Sequence, residues 1–308
     1  MGRFESMDTF IRVVEAGSIS GAADRMGVAK SAVSRRLKEL EEHLGVALFN
    51  RTTRKMNLTE TGQSYYQQSV RILDDVLEAE LATSQAHGEL KGRLKVALPL
   101  SFGLMHLGPA ISEFLQAYPG IEFDLDFSDR EVDLMQEGFD LAIRIADLPD
   151  SSLIARRIAP IQTVMCASPD YLERMGTPKS LDDLANHKCL VYSLLPDPER
   201  WHFLGAKGKL LATKIHPYLK ATNGEFLRDC AVEGQGIVLL PSFICHQKIE
   251  KGALVPILTQ YCQPNLAAYA IYPQTRHLSK RVQSLVEFLV KRFEDTPYWD
   301  LCLECKIS

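Results

Sequence analysis

Along the first 90 residues the apolar positions recur at helical spacing. Met7, Phe10 and Val14 share one face of a helix that Ser6 can cap and Gly17 can stop. Ser18 then caps a second helix, on which Ile19, Ala22, Ala23 and Met26 form a narrow stripe suited to close packing. Gly27 breaks it, and only Val28 and Ala29 intervene before a third helix with Val33, Leu37, Leu40 and Leu44 on one ridge. Gly45 ends that helix. Two helices joined by so tight a turn read as a helix-turn-helix. Val46–Phe49 and Met56–Thr59 then predict two short strands around the basic stretch 50–55, a wing that would lie along a nucleic-acid backbone.

From Glu60 to about His87 the pattern returns to a long helix, with Tyr66, Val70, Leu73 and Leu77 on one seam and Tyr65, Ile72 and Val76 beside it. Such a seam must be buried, and a twin helix is the simplest partner, which predicts a dimer; packing on the chain's own body is the alternative. Glycines at 88 and 92 interrupt the period and mark a hinge. Alternation begins directly after it at Leu94, Val96 and Leu98. Pro99-Leu100-Ser101 leads into a helix that Gly108-Pro109 should break and Pro119-Gly120 should stop. Ile121, Phe123, Leu125 and Phe127 alternate with acids, 131–136 reads as helix, and Asp140–Ile145 as strand, an α/β succession. Further strands are expected near 153–158, 161–167, 189–193, 216–221 and 267–272, with a glycine-rich strand and helix region at 222–241 and a last helix from Ser279 to Phe293.

Composition changes this picture in three ways. A chain of 308 residues predicts about two domains. No stretch nears the roughly 18 apolar residues of a membrane span, and the N-terminus lacks the basic flank and apolar run of a signal peptide. Seven cysteines in no framework spacing point to a reducing cytoplasm. The net charge of −4 argues against a nucleic-acid partner until its distribution is followed: residues 1–60 sum to +2 and the rest to −6, with seven basic and three acidic residues within 30–55. Opposite the leucine ridge of the third helix stand Lys30, Ser31, Ser34, Arg35 and Lys38, short donors and long cations of the kind that reach phosphates and base edges. Together with Ser18 and the wing residues Arg51, Thr52, Arg54 and Lys55 they are the DNA-contact candidates.

Enzyme-like strings are weak. Gly234-Gln235-Gly236 lacks the third glycine of a dinucleotide fingerprint, and Gly205-Ala206-Lys207-Gly208-Lys209 lacks the spacing of a phosphate loop. The eight histidines form no HExxH pair and there is no GxSxG elbow, so no catalytic residue, metal or cofactor is expected. Cys302 and Cys305 have redox-motif spacing but lie outside any βαβ unit; with seven cysteines in all, a thiol-redox sensor is the competing reading.

Ala16-Gly17-Ser18, Ala22-Ala23, Ser31-Ala32-Val33-Ser34-Arg35, Leu40-Glu41, Leu44-Gly45, Leu48-Phe49-Asn50-Arg51 and Leu58-Thr59-Glu60-Thr61-Gly62, in this order and spacing, resemble a LysR-type transcriptional regulator. The likeness continues through Asp140–Arg144, Asp150-Ser151-Ser152-Leu153 and Gly234-Gln235-Gly236-Ile237 to Pro241, nearly the whole chain. The resemblance implies an α+β front end and an α/β body: a winged helix-turn-helix at 1–59, a dimerising linker helix at 60–87, a hinge at 88–92 and an effector domain at 93–295 resembling periplasmic binding proteins, followed by a tail at 296–308. Its lobe one would comprise 93–161 and 267–295, and its lobe two 162–266. It further implies a small-molecule effector between the lobes, assembly to dimers and tetramers on interrupted palindromes of double-stranded promoter DNA, DNA bending, and RNA polymerase as a candidate partner. Ser101 and Phe102 at one helix start, Thr222 and Asn223 at another, and Arg144 near a strand end would hold the effector, expected to be anionic because helix starts offer N–H groups and a positive dipole end. Lys30 departs from the glutamine of many family members and favours guanine or phosphate over adenine, so the family's usual operator pattern does not transfer directly.

Overall fold

The computed structural model describes residues 2–50, 56–83, 90–147, 154–195, 197–204, 210–261, 266–273, 278–293 and 297–301. Helices α1 (Arg3–Ala16), α2 (Ile19–Met26) and α3 (Lys30–Leu44) form the front end. Each stops at a glycine in the left-handed region, Gly17, Gly27 and Gly45, with φ of 65°, 64° and 71°. Ser18 caps α2 as its position predicts, accepting the Gly21 N–H at 3.0 Å. Ser6 does not cap α1; the helix starts earlier, behind Gly2, and Ser6 lies inside its first turn. Phe10, Val13, Ala22, Ala23, Val33, Leu37, Leu40 and Leu48 make the core. Strand β1 (Phe49–Asn50) pairs antiparallel with β2 (Asn57–Leu58). The wing is therefore shorter than expected, with Val46 and Ala47 exposed in the approach to it. Glu41 Oε1 pins that approach by accepting the Leu48 N–H at 2.7 Å and the Phe49 N–H at 3.3 Å.

The linker helix α4 (Glu60–Thr83) leaves the wing through Thr59, whose hydroxyl donates to the Ala47 carbonyl at 2.8 Å and accepts the Gly62 N–H at 2.9 Å. Tyr65 and Tyr66 pack tilted and edge-on against Phe10 with ring centroids 5.4 Å and 6.4 Å away. Tyr66, expected on the seam facing a twin helix, is thus spent inside its own chain, whereas Ile72 stands exposed. Residues 84–89, which hold the end of the expected linker and the first two residues of the expected hinge, lie outside the described residues, and Lys91 and Gly92 of that hinge already begin a strand that runs to Leu98.

The body carries two five-stranded sheets. The first has the order β4 (Gly120–Phe127), β3 (Lys91–Leu98), β5 (Leu141–Ala146), β14 (Leu266–Tyr272), β6 (Ile154–Ile161), with β4, β3 and β5 parallel and β14 antiparallel to both neighbours. The second has the order β11 (Pro217–Ala221), β8 (Cys189–Tyr192), β12 (Ile237–Pro241), β7 (Thr163–Ala167), β13 (Val255–Pro256), its first three strands parallel. The chain crosses between the sheets from β6 to β7 and again from β13 to β14, giving two lobes. A hairpin of β9 (Arg200–Leu204) and β10 (Leu210–Lys214) pairs with neither sheet, packs Trp201 and Phe203 into the core of the second, and is not foreseen by the strand pattern.

Gly108-Pro109 does not break the helix after β3. Helical residues run from α5 (Leu100–Phe102) through a π turn (Gly103–Leu107) into α6 (Gly108–Ala117). The Gly108 N–H reaches back to the Gly103 carbonyl, a widened register that puts Pro109 in the first turn of α6, where proline is tolerated. The next helix, α7 (Leu134–Glu137), is shifted from the expected 131–136 because Asp133 Oδ1 caps it, accepting the Met135 and Gln136 N–H groups. Lobe two gains α8 (Pro169–Met175), α9 (Gly224–Val232) and α10 (Ser242–Glu250), and α11 (Lys280–Arg292) closes on lobe one behind an Ser279 cap.

The stretch expected to be a tail returns to the body at residues 297–301, where Trp299 joins the main core while Tyr298 and Leu301 stay exposed. Trp299 is fully buried and its ring lies 5.6 Å from Phe102, 4.4 Å from His106, 5.6 Å from Phe293 and 6.4 Å from Phe243. Ser242 Oγ donates to Asp300 Oδ1 at 2.5 Å. His106 is bonded to Tyr298 Oη at 2.5 Å, and burial lowers its pKa to about 4, with the Phe243 carbonyl opposing and His246 assisting. The unfolded chain takes up a proton here below about 6.5, the folded chain only below about 4, so stability should fall as the pH drops through that interval. Urea midpoints should show about 1–2 kcal/mol lost between neutral pH and about 5, and His106→Gln should remove most of that slope.

Candidate DNA-reading face and interlobe cleft

The ridge Val33, Leu37 and Leu40 is buried against α1 and α2, which turns the opposite side of α3 outward. Lys30, Ser31, Ser34, Arg35 and Lys38 are all exposed there, as is Ser18 at the neighbouring start of α2. The N-cap of α3 is Ala29, which offers no side-chain oxygen to the first N–H groups. Arg35 and Lys38 touch Glu39 and Glu42 at 3.7 Å and 3.6 Å, but with side chains 70% and 71% exposed these are loose, screened pairs that a phosphate can replace. Arg36 has the opposite role: its guanidinium is largely covered, 2.6 Å from Glu5, and ties α3 to α1. The Ser18 oxygen is used as a cap, which leaves its O–H free to donate. Arg51, Thr52, Arg54 and Lys55 lie outside the described residues.

In the body, the C-terminal ends of the parallel strands β3, β4, β8 and β11 face one another across the two sheets, the position where open α/β sheets bind ligands. Ser101 is buried there and its Oγ donates to Glu225 Oε2 from lobe two. Asn223 caps α9 by accepting the Phe226 N–H at 2.8 Å, and its Nδ2 donates to the same Glu225 oxygen at 3.0 Å. Asp129, just beyond β4, accepts the Leu100 N–H and Tyr192 Oη, both at 3.0 Å. Burial first, then Asp129, raises the Tyr192 pKa, so the phenol remains a donor. The geometry therefore brings together Ser101 and Asn223 as expected, and adds Asp129, Tyr192 and Glu225.

Two expectations are corrected. Phe102 does not offer its ring to a ligand: it is fully buried in apolar contact with Phe243 of lobe two, 5.1 Å away, and edge-on to Trp299, because successive helix residues diverge by about 100° and Ser101 and Phe102 meet different neighbours. Arg144 is committed elsewhere, donating to the Ser128 carbonyl at 3.1 Å and to the Arg130 carbonyl, so it clamps the loop that carries Asp129. Thr222 is exposed beside the Asn223 cap. The motif residues 150–153 and 205–209 lie outside the described residues.

The linker helix meets lobe one through Arg71, which donates to the Leu134 carbonyl at 3.0 Å and to the Phe139 carbonyl. A polar cavity of about 260 Å³ adjoins this joint, and Val70, expected on the dimer seam, lines it with Gln67 and Lys95. Among the described cysteines, Cys166, Cys189 and Cys245 are buried and Cys230 is half-buried. A bond to Cys245 together with burial raises the Cys166 pKa, and burial pushes Cys189 up to about 12. Thiols held protonated in this way are poor nucleophiles, which speaks against them as sensors. Cys262, Cys302 and Cys305 lie outside the described residues.

Residues 4–63 match the family described as bacterial regulatory helix-turn-helix protein, lysR family, and residues 87–294 match the LysR substrate binding domain. The chain is 36% identical over 288 residues to the HTH-type transcriptional regulator CrgA of Neisseria meningitidis serogroup B, covering 93% of this chain and 96% of that one. It is 34% identical over 287 residues to the HTH-type transcriptional regulator DmlR of Escherichia coli K12, covering 93% of each. The structure of CrgA superposes with a TM-score of 0.60 over 94% of this chain and 99% of that chain. The full-length Vibrio cholerae virulence activator AphB, 26% identical, gives 0.59 over 95% of this chain and 100% of that chain. With a helix-turn-helix front end, a two-lobed body and relatives that match along almost their entire length, the chain belongs to the LysR family of DNA-binding transcriptional regulators.

Proposed function

We propose that this regulator reads promoter DNA with α3 and the wing, and that a small molecule held between the lobes modulates that binding. Lys30, Ser31, Ser34, Arg35 and Lys38 contact base edges and phosphates in the major groove, Ser18 a phosphate beside it, and Arg51, Thr52, Arg54 and Lys55 the flanking backbone. Ser101 and Asn223 hold the effector, with Thr222 at the rim. The division follows the sequence: 1–59 for DNA, 60–87 for the linker, 88–92 for the hinge, whose last two residues enter β3, and 93–295 for the effector, with 297–301 belonging to the effector body. Pairing through α4 gives a dimer, and tetramers follow from a second contact between bodies; RNA polymerase is a further partner at the promoter, in the cytoplasm.

The observation that supports this best is the exposed, donor-rich side of α3, whose two cations at 35 and 38 are held only by loose pairs. Gel-shift titration on DNA upstream of the chain's own gene should give site-preferring binding that weakens steeply with salt. Arg35→Ala should lower operator affinity roughly tenfold and, where the contact is to phosphate, make the log–log salt slope shallower by about 1. Equal affinity for operator and scrambled DNA would remove the proposal.

A further inference from the structure

The donors that the cleft would offer an anionic ligand already serve carboxylates of the chain itself. Ser101 Oγ in lobe one reaches Glu225 Oε2 in lobe two, 124 residues away in sequence, and Asn223 Nδ2 reaches the same atom at 3.0 Å. A further hydrogen bond between the lobes has the same form, Tyr192 Oη on Asp129 Oδ2 at 3.0 Å. Among the described residues no lysine or arginine forms an ion pair with Glu225, so its charge is held by the hydroxyl and the amide. Glu225 is the second residue of α9 and half-buried, on a helix fixed by its Asn223 cap. Rotation of its side chain alone would vacate both donors without moving the backbone.

We propose that Glu225 is a resident carboxylate in the effector's place: it latches lobe two to lobe one until an effector bearing its own carboxylate displaces it from Ser101 and Asn223. This rests on the cleft being the effector site and adds a rule of selection. The resident group competes at intramolecular concentration, so apparent affinity is reduced by the fraction of time the latch is open. A bare small acid loses that competition, and a ligand wins only by adding contacts of its own.

The test uses the full chain with sodium acetate as a bare carboxylate and acetamide as its neutral counterpart, read by shifts of the melting midpoint. Glu225→Ala should bind acetate about tenfold more tightly than the native chain, with acetamide unaffected, and adding Ser101→Ala should abolish the gain. Should Glu225→Ala fail to fold, Glu225→Gln keeps the volume, gives up the charged acceptor and should gain about threefold. Equal acetate affinity in the native chain and the Glu225 variants overturns the latch; if Ser101→Ala then weakens acetate binding in each, the cleft reading survives. Acetate binding indifferent to Ser101→Ala, or absent from every variant, overturns both.

Discussion

Gly62→Ala is expected to abolish specific DNA binding while leaving the two-lobed body folded. A Cβ at this position would lie 2.0 Å from the Leu48 carbonyl oxygen and 2.9 Å from its carbon, with backbone rather than a yielding side chain on the receiving side. That backbone cannot retreat cheaply. The Leu48 N–H is held by Glu41, and its carbonyl accepts the Thr59 N–H at 3.0 Å. The methyl group must therefore push α4 off the wing, which breaks the Thr59 bonds and separates Tyr65 and Tyr66 from Phe10. Overpacking of this kind costs about 3 kcal/mol, a large share of what a front end of this size has to lose. Calorimetry should show a low-temperature transition for the front end moving down while the body's transition stays, and gel shift should lose the site-preferring complex. Unchanged melting and affinity would mean that the wing and linker helix are not held as described.

Trp299→Ala should have the second large effect, this time on the body. The indole is fully buried at the point where α5 and the π turn of lobe one, α10 of lobe two and α11 converge. Removing it leaves a cavity that Phe102, Phe243 and Phe293 cannot collapse to fill, since each is fixed by its own element. Truncations of this type cost about 3–5 kcal/mol. For a body of about 200 residues this lowers Tm by roughly 10 °C, and the urea midpoint should fall with the slope unchanged. Deleting the segment from residue 296 onward should reproduce the loss. A body that melts as before would place residues 297–301 outside the core.

Much of the front end could be read from the sequence because its signals are local. The glycine stops at 17, 27 and 45, the Ser18 cap and the Val33–Leu40 ridge each act within a few residues, and the structure keeps all of them. Periodicity identifies which residues will be buried but not what will cover them. Tyr66 and Val70 carry the right spacing for a seam, yet their partners are Phe10 and lobe one. The cleft is less legible still. Ser101 and Asn223 follow from helix starts, but Asp129 and Tyr192 lie 63 residues apart and only the packing of two sheets makes them neighbours. Phe102 failed as a candidate because adjacent helix residues face different ways, and Gly108-Pro109 failed as a stop because a π turn absorbs it. Trp299 sits in a segment too short to show any period.

The fastening of the linker helix to lobe one has an implication for how such regulators can be recombined. Arg71 is received by main-chain oxygens of residues 134 and 139, groups that every amino acid supplies. Side chains around that joint can drift without loosening it, provided the loop keeps its course, which the left-handed turn at Gly138 secures with φ of 76°. A chimaera that grafts a foreign sensing body behind this stalk should keep its rigid mount whenever the graft reproduces the curve of the loop, however little of its lettering is shared.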